Sequence, residues 1–475
     1  MGGLFGVVGK QRCTEDLFYG TDYHSHLGTM RGGLATVERG HFHRTIHDIT
    51  NSPFRTKFEL DLVRLKGPMG IGVISDFDDQ PLLITSHLGT YAIATVGKVA
   101  NADALLKRTF HRHAAHISNM TMGEVSPTEL VATLINQADS IEAGIRRVQA
   151  QIRGSCTLLV LTPDALYAAR DRWGRTPLIL GRRENGRKSA WAVTMETTAF
   201  PNLEFVPVRD LGPGECVRIT PEGIESVSPP YSGMKICAFL WVYYGYPSST
   251  YEGVNVEECR NRCGVFLARR DAREEGQAVA DIVCGIPDSG VGHALGYAQE
   301  SGLPYRRPFV KYTPTWPRSF MPQDQSVRQL IARMKLIPVR ELIQGQRLIF
   351  CEDSIVRGTQ LRDTLKRIRA EGARAIHLRA ACPPLAFQCP YLNFSRSKSE
   401  KALAVRRTIE KLEGRSDAHL DEYVDPRSDR HARMVETIRR AMRLDSLKYQ
   451  TLDDLLAAIG LPSSRVCTFC WNGRE

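Results

Sequence analysis

The 475-residue chain has no apolar run long enough to span a bilayer. Its opening residues, MGGLFGVVGK, have no basic flank, no long apolar core and no small-residue cleavage site, so no secretory leader is expected. Gly6 stands where N-myristoylation would need Ser or Thr. No internal repeat or low-complexity tract stands out. These absences set aside a membrane-spanning, lipid-anchored or solenoid protein, and a cytoplasmic location is expected. Cysteine is not scarce, but the twelve residues are scattered from Cys13 to Cys470. In a cytoplasmic chain they are not expected to form a disulfide framework, and most read as small buried hydrophobes.

The length exceeds what one ordinary core organises, so two or more domains are expected. Apolar residues make up 42% and charged residues 24%, a globular composition. The net charge is +11. Basic residues concentrate in 396–445, where RSKSEKALAVRRTIEKLEGR and RHARMVETIRRAMR read as exposed helix. A solvated helix face accounts for them without a nucleic-acid partner, and an anionic, phosphate-rich substrate accounts for part of the remainder.

The first 230 residues read as short strands and turns: LFGVV (4–8), GIGVI (70–74), TLLVLT (157–162), ALYAAR (165–170) and ECVRIT (215–220). One helical periodicity covers 128–152. SVSPPYSG at 226–233 makes a boundary. Beyond it strands alternate with helices: DIVCGIP (281–287), a helix at about 290–301, PFVKY (308–312), RLIFCEDS (347–354), a helix from Thr359, and AIHLRAACPP (375–384). That alternation predicts a parallel, doubly wound sheet with its ligand beyond the carboxyl ends of the strands.

One such end carries Glu352-Asp353-Ser354-Ile355-Val356-Arg357-Gly358-Thr359. The strand delivers two carboxylates that can accept hydrogen bonds from ribose hydroxyls. The turn through Gly358 lets backbone N–H groups approach a phosphate, and Thr359 opens a helix whose N-terminus favours the anion. The string is the fingerprint of type I phosphoribosyltransferases, which bind phosphoribosyl diphosphate (PRPP). Cys467-Thr-Phe-Cys470 is weaker; by spacing alone it leaves zinc, redox chemistry and coincidence open. Cys259 and Cys263, four apart on one helix face, read as core packing.

Further blocks follow in order: MGGLFGVVG, ARDRWGRTPLILG (169–181), METTAF (195–200), LGPGE (211–215), IPDSGVGHALGYAQESGLPY (286–305), RMKLIPVR (333–340) and DSLKYQTLDDLLAAIG (445–460). With the PRPP loop they resemble the amidophosphoribosyltransferase family, glutamine-dependent enzymes that make phosphoribosylamine in the first committed step of purine synthesis. The resemblance implies an α+β N-terminal-nucleophile-hydrolase-like domain, with stacked antiparallel sheets between helices, at 1–230. An α/β type I phosphoribosyltransferase domain with a parallel sheet is implied at 231–465, and a tail at 466–475. It also implies a homo-oligomer.

The resemblance assigns PRPP binding to the 352–359 string with Asp288, Ser289, Lys311 and Arg318, and Mg²⁺ to Glu352 and Asp353. Arg333 to Lys335 are further candidates for pyrophosphate, and Gly290 replaces a usual Ser or Thr. The loop from Lys311 to Phe320 carries Pro314 and Pro317, which stiffen it. One subgroup of the family holds a 4Fe–4S cluster, in contexts matched by Cys237, Cys389, Cys467 and Cys470, with zinc as the alternative. The glutaminase positions depart together. Gly2 stands at the nucleophilic cysteine, Ser75 at the carboxylate-binding arginine, Val96 at the oxyanion asparagine and Pro127 at the amine-binding aspartate; only Gly97 is kept. Cys13 is no substitute, since freeing its amine would remove the LFGVV strand. The expectation is PRPP-dependent phosphoribosyl transfer to ammonia or another amine without glutamine hydrolysis, the nitrogen coming from solution or an ammonia-supplying partner. The alternative is a PRPP- or nucleotide-binding pseudoenzyme regulating a partner such as an active paralogue.

Overall fold

Gly2–Gly9 is a strand buried at every position because it lies between two layers. Leu4 and Val8 face a second sheet, while Phe5 and Val7 face the opposite core. The computed structural model describes residues 2–110, 120–121, 124–275, 279–312, 336–393 and 400–474. Seven antiparallel strands run in the order Val206–Asp210, Ile179–Arg183, Ala190–Thr194, Gly2–Gly9, Met69–Ser75, Arg31–Glu38, His41–Asp48. A six-stranded antiparallel sheet stacks on it, in the order Gly223–Ser228, Cys216–Thr220, Leu166–Ala169, Gly154–Leu161, Gly89–Val99, Leu82–Ser86. Their interface is aliphatic, with Leu4, Val73, Ala94, Leu159 and Val217 all buried. Helix Thr14–Asp22 covers the outer face of the first sheet, and Pro127–Ile135 with Ile141–Gln151 cover the second.

The single helical periodicity of 128–152 is two helices. Ser126 caps the first through Glu129 N–H and Ser140 caps the second through Ala143 N–H, so polar residues 136–140 form a turn that apolar spacing does not reveal.

The second half carries the expected parallel sheet: Ile282–Gly285, Arg347–Glu352, Ala375–Ala380, Ser446–Tyr449. Val256–Glu275 and Gly290–Ser301 cover one face, while Thr359–Ala370 and Asp429–Met442 cover the other. The first pair approaches closely: a Cβ on Gly264 would lie 1.9 Å from the His293 carbonyl oxygen, and one on Gly296 1.9 Å from that of Asn261. The basic stretch is more than a solvated face. Val405 and Ile409 of Ala404–Glu413, and Met434, Ile438 and Met442 of Asp429–Met442, are buried in the sheet's core. Among the described residues no helix is long and apolar enough to cross a membrane.

Buried polar contacts join the halves. The Arg170 guanidinium donates to Glu252 at 2.6 Å, and Arg465 donates to the same carboxylate at 3.1 Å. Glu196, buried, accepts from the hydroxyls of Ser249 and Tyr251, the latter at 2.7 Å, and faces His26 Nε2 at 3.1 Å. Burial would raise its pKa, but these three partners hold the carboxyl below its ordinary value of 4.5. A carboxyl depressed in the fold contributes stability that is present above its unfolded pKa and lost as pH falls through the folded one. Glu196→Gln is therefore expected to melt below wild type at pH 7, with the gap closing under about pH 4.5. A thermal-unfolding series from pH 3 to 7 checks this, and a gap independent of pH would refute it.

Candidate active site

The loop expected to bind PRPP leaves the sheet at Glu352 and enters a helix at Thr359. Gly358 takes φ +69°, the left-handed conformation that turns the chain into the helix. A Cβ there would also lie 2.5 Å from the Met442 methyl group. Ile355 is buried in the sheet's core and anchors the loop, while Val356 and Arg357 are exposed. Ala404 N–H donates to the Val356 carbonyl at 2.8 Å, and Arg407 donates to the Arg357 carbonyl. The basic helix thus buttresses the loop from outside.

Asp353 is buried and gathers the site. Ser289 Oγ donates to it at 2.5 Å and Ser354 Oγ donates to its other oxygen. Glu352 stands beside it, partly buried; burial and the charge of Asp353 push its carboxyl well up. Arg260, buried on the neighbouring helix, is drawn down by burial while Asp353 supports its charge. Across the opening Lys311 pairs with Asp288. Gly290 opens the helix after Ser289, and a Cβ there would lie 2.4 Å from the Cys351 carbonyl oxygen, which explains why a hydroxyl-bearing residue is missing. Arg318, the 313–320 segment and Arg333 to Lys335 lie outside the described residues.

The positions expected to carry a glutaminase site also converge: Gly2, Ser75, Val96, Gly97 and Pro127 line one pocket. Gln80 lines it too and imitates a strand, donating to the Thr95 carbonyl at 3.1 Å and accepting Thr95 N–H at 2.7 Å. Ser75 Oγ accepts the Phe77 and Asp78 N–H groups. Asn393 reaches in from the second half to donate to the Gly97 carbonyl at 3.0 Å. A Cβ on Gly2 would lie 2.5 Å from the Ile74 carbonyl oxygen and 3.3 Å from a Val96 methyl. Cys13 is buried, and burial pushes its thiol far up.

Cys237, Cys389, Cys467 and Cys470 meet at the seam between the halves, each within electrostatic reach of the others. Ile236–Cys237 pairs in parallel with Val466–Cys467, setting the two cysteines side by side. Ala386 and Phe387 N–H both donate to the Cys470 carbonyl at 3.1 Å. The stacked pair Phe239 and Trp471, 5.4 Å apart, and the edge-on pair Tyr391 and Phe469, also 5.4 Å, wall the site. Burial pushes the Cys237 and Cys467 thiols up, while a hydrogen bond from Cys470 pulls Cys389 down to about 7. Leu392 N–H donates to Cys389 Sγ at 3.3 Å, and Arg175 donates to Cys467 Sγ at 3.3 Å. Among the described residues no group of three or more His, Cys, Asp or Glu is arranged to hold a single metal ion. Cys259 and Cys263 are buried in the core. Arg175, Gln80 and Asn393 were not singled out from the sequence. Arg175 lies within the ARDRWGR block, but neither its contact with a sulfur 292 residues away nor Asn393's reach across 296 residues leaves a local pattern.

Stacked amidotransferase-type sheets leading into a parallel sheet with a PRPP-type loop define a two-part glutamine amidotransferase–phosphoribosyltransferase architecture. Residues 69–200 match the glutamine amidotransferase domain family. The chain is 30% identical to the amidophosphoribosyltransferase of Methanocaldococcus jannaschii across 100% of its own length and 97% of that protein's. It is 34% identical to that of Mycobacterium tuberculosis, across 99% and 85%. The solved structure of B. subtilis glutamine PRPP amidotransferase complexed with ADP and GMP superposes with a TM-score of 0.82 at 26% identity, covering 100% of this chain and 97% of that one. The chain belongs to the amidophosphoribosyltransferase family.

Proposed function

We propose that this protein transfers the phosphoribosyl group of PRPP to ammonia or another small amine, in purine biosynthesis, and does not hydrolyse glutamine. The observation that carries the reading is the contrast between the two sites: an acidic loop held from both sides, and a pocket where Gly2, Ser75, Val96 and Pro127 supply no thiol, guanidinium, amide or carboxylate. We divide the chain into an amidotransferase-like domain at 1–230, a phosphoribosyltransferase domain at 231–465 and a tail at 466–475.

In this reading Ser354 to Thr359 bind the 5′-phosphate through loop and helix N–H groups. Glu352 and Asp353 accept the ribose hydroxyls, while Lys311, Arg318, Asp288 and Ser289 meet the pyrophosphate end. Two adjacent carboxylates with no direct ion pair among the described residues suit a hard divalent cation. Mg²⁺ held there would neutralise the departing pyrophosphate. The bond from C1′ to the pyrophosphate oxygen breaks, a C1′–N bond forms, and the amine proton passes to water. Lys311, now held by Asp288, is free to follow the charge that develops on the leaving group.

Four cysteines gathered at one seam suit a 4Fe–4S cluster, with zinc as the alternative. The N–H groups aimed at two of the sulfurs suit thiolate ligands. The cluster would tie the tail to the body.

The test is pyrophosphate release from PRPP with ammonium or with glutamine. Turnover with ammonium alone is expected; tight PRPP binding with no turnover on any amine would move the reading to a regulatory pseudoenzyme. Gly2→Cys is expected to leave glutamate release from glutamine at background, since its Cβ meets the Ile74 carbonyl oxygen and Ser75, Val96 and Pro127 supply no guanidinium, amide or carboxylate to hold glutamine. Glutaminase activity in that variant would overturn the reading of a lost glutaminase.

A further inference from the structure

The cysteine centre is not built by the second half alone. Arg175 belongs to the amidotransferase-like half, is almost fully buried, and places Nη1 3.3 Å from Cys467 Sγ. Its guanidinium carbon lies 3.5 Å over the Tyr391 ring, next to the segment that carries Cys389. The backbone on either side is tied to the same centre. Cys237 N–H donates to the Arg175 carbonyl at 3.1 Å and Lys235 N–H to the Trp173 carbonyl at 2.7 Å, so residues 173–175 extend the short ladder of 236–237 and 466–467.

The charge around the sulfurs is lopsided. Lys98 Nζ donates to the Cys389 carbonyl at 3.3 Å, and Lys235 acts on Cys467 from nearby. Arg175 also acts on buried Asp171, so its guanidinium bridges that carboxyl and the Cys467 sulfur. A cubane on four thiolates is a polyanion and becomes more negative when reduced. A donor N–H and a fixed positive charge on one thiolate favour the reduced form.

We propose that Arg175 is a positioning residue through which the amidotransferase-like half holds the four-cysteine cluster and raises its reduction potential. This rests on the cluster reading above. The whole chain, reconstituted without oxygen from ferrous iron and sulfide, is assayed for bound iron and acid-labile sulfide, then titrated with dithionite while electron paramagnetic resonance follows the one-electron reduction.

Wild type is expected to bind iron and sulfide in equal amounts. Arg175→Met is expected to keep that stoichiometry with a midpoint potential clearly more negative, and Arg175→Lys, which keeps charge but loses the planar fork, to fall between. If the methionine variant does not fold, the lysine variant carries the test, because its lost N–H···S bond alone lowers the potential. Wild-type protein that takes up no iron and sulfide would defeat the cluster reading. A loaded wild type whose Arg175 variants share its potential would defeat the role of Arg175 and leave the cluster standing.

Discussion

Asp353→Asn is expected to lower ammonium-dependent pyrophosphate release from PRPP by roughly 10²- to 10³-fold, about 3–4 kcal/mol of transition-state stabilisation. The reason lies in what the carboxylate collects. Its two oxygens take the Ser289 and Ser354 hydroxyls, one from each loop that must close on the substrate, and its charge supports buried Arg260. Asparagine keeps the shape but replaces one acceptor with a donor, so one of the two serines loses its partner. With the Glu352 carboxyl pushed up by burial and by Asp353 itself, the substitution also removes much of the negative charge that the proposed reading offers to a divalent cation and the ribose hydroxyls. The loss should fall mainly on kcat, since in the proposed reading Lys311 and the 354–359 loop, which the substitution leaves in place, hold the two ends of PRPP. Glu352→Asp is the control, because it keeps both charges and shortens one side chain by a methylene. An Asp353→Asn enzyme that turns over within threefold of wild type would remove this carboxylate from the chemistry.

The strand, turn and helix from Arg347 to Ala370 were legible because the pattern is local: an apolar strand, two acids, a glycine and a helix start follow one another directly. Among the strands that could be read, such as Gly2–Gly9, the signal is of the same kind, since Leu4 and Val8 face one core and Phe5 and Val7 the other; Arg31–Glu38, Gly89–Val99 and Ser446–Tyr449 were not singled out as strands from the sequence. The pairing of Gln80 with the Thr95 backbone left no trace in the sequence, because a side-chain amide posing as a strand has no period to detect. Gly290 read as a missing hydroxyl; the structure makes it a place where the Cys351 carbonyl leaves no room for any side chain. The four cysteines lie on segments separated by up to 233 residues (from Cys237 to Cys470), so spacing could not group them and only the resemblance did. The charge-rich helices after residue 400 read as solvated because basic residues are interleaved with the apolar ones, although Val405, Ile409, Met434 and Ile438 recur at helical spacing.

Asp271→Ala is expected to cost about 3–5 kcal/mol of stability and to lower the melting temperature by roughly 10 °C. Asp271, on Val256–Glu275, receives Arg379 Nε at 2.5 Å, the Tyr297 hydroxyl at 2.6 Å and Lys448 Nζ at 3.1 Å. The Asp271 and Arg379 side chains are 3% and 2% exposed, so water cannot replace the lost partner. The carboxylate links both helices on that face of the sheet to its third and fourth strands. Arg379 is the register partner of Cys351, the residue before the acidic pair, so an Arg379 pushed out towards solvent would also disturb the strand that presents Glu352 and Asp353. The variant should therefore lose PRPP turnover at temperatures where it is still folded. Desolvation decides the sign of the companion experiment. Replacing both members, Asp271→Leu with Arg379→Met, removes the uncompensated cation and should recover a large part of the melting temperature despite deleting the ion pair. A double variant no more stable than Asp271→Ala would show that the Tyr297 and Lys448 contacts, and not the buried Arg379 charge, account for the loss.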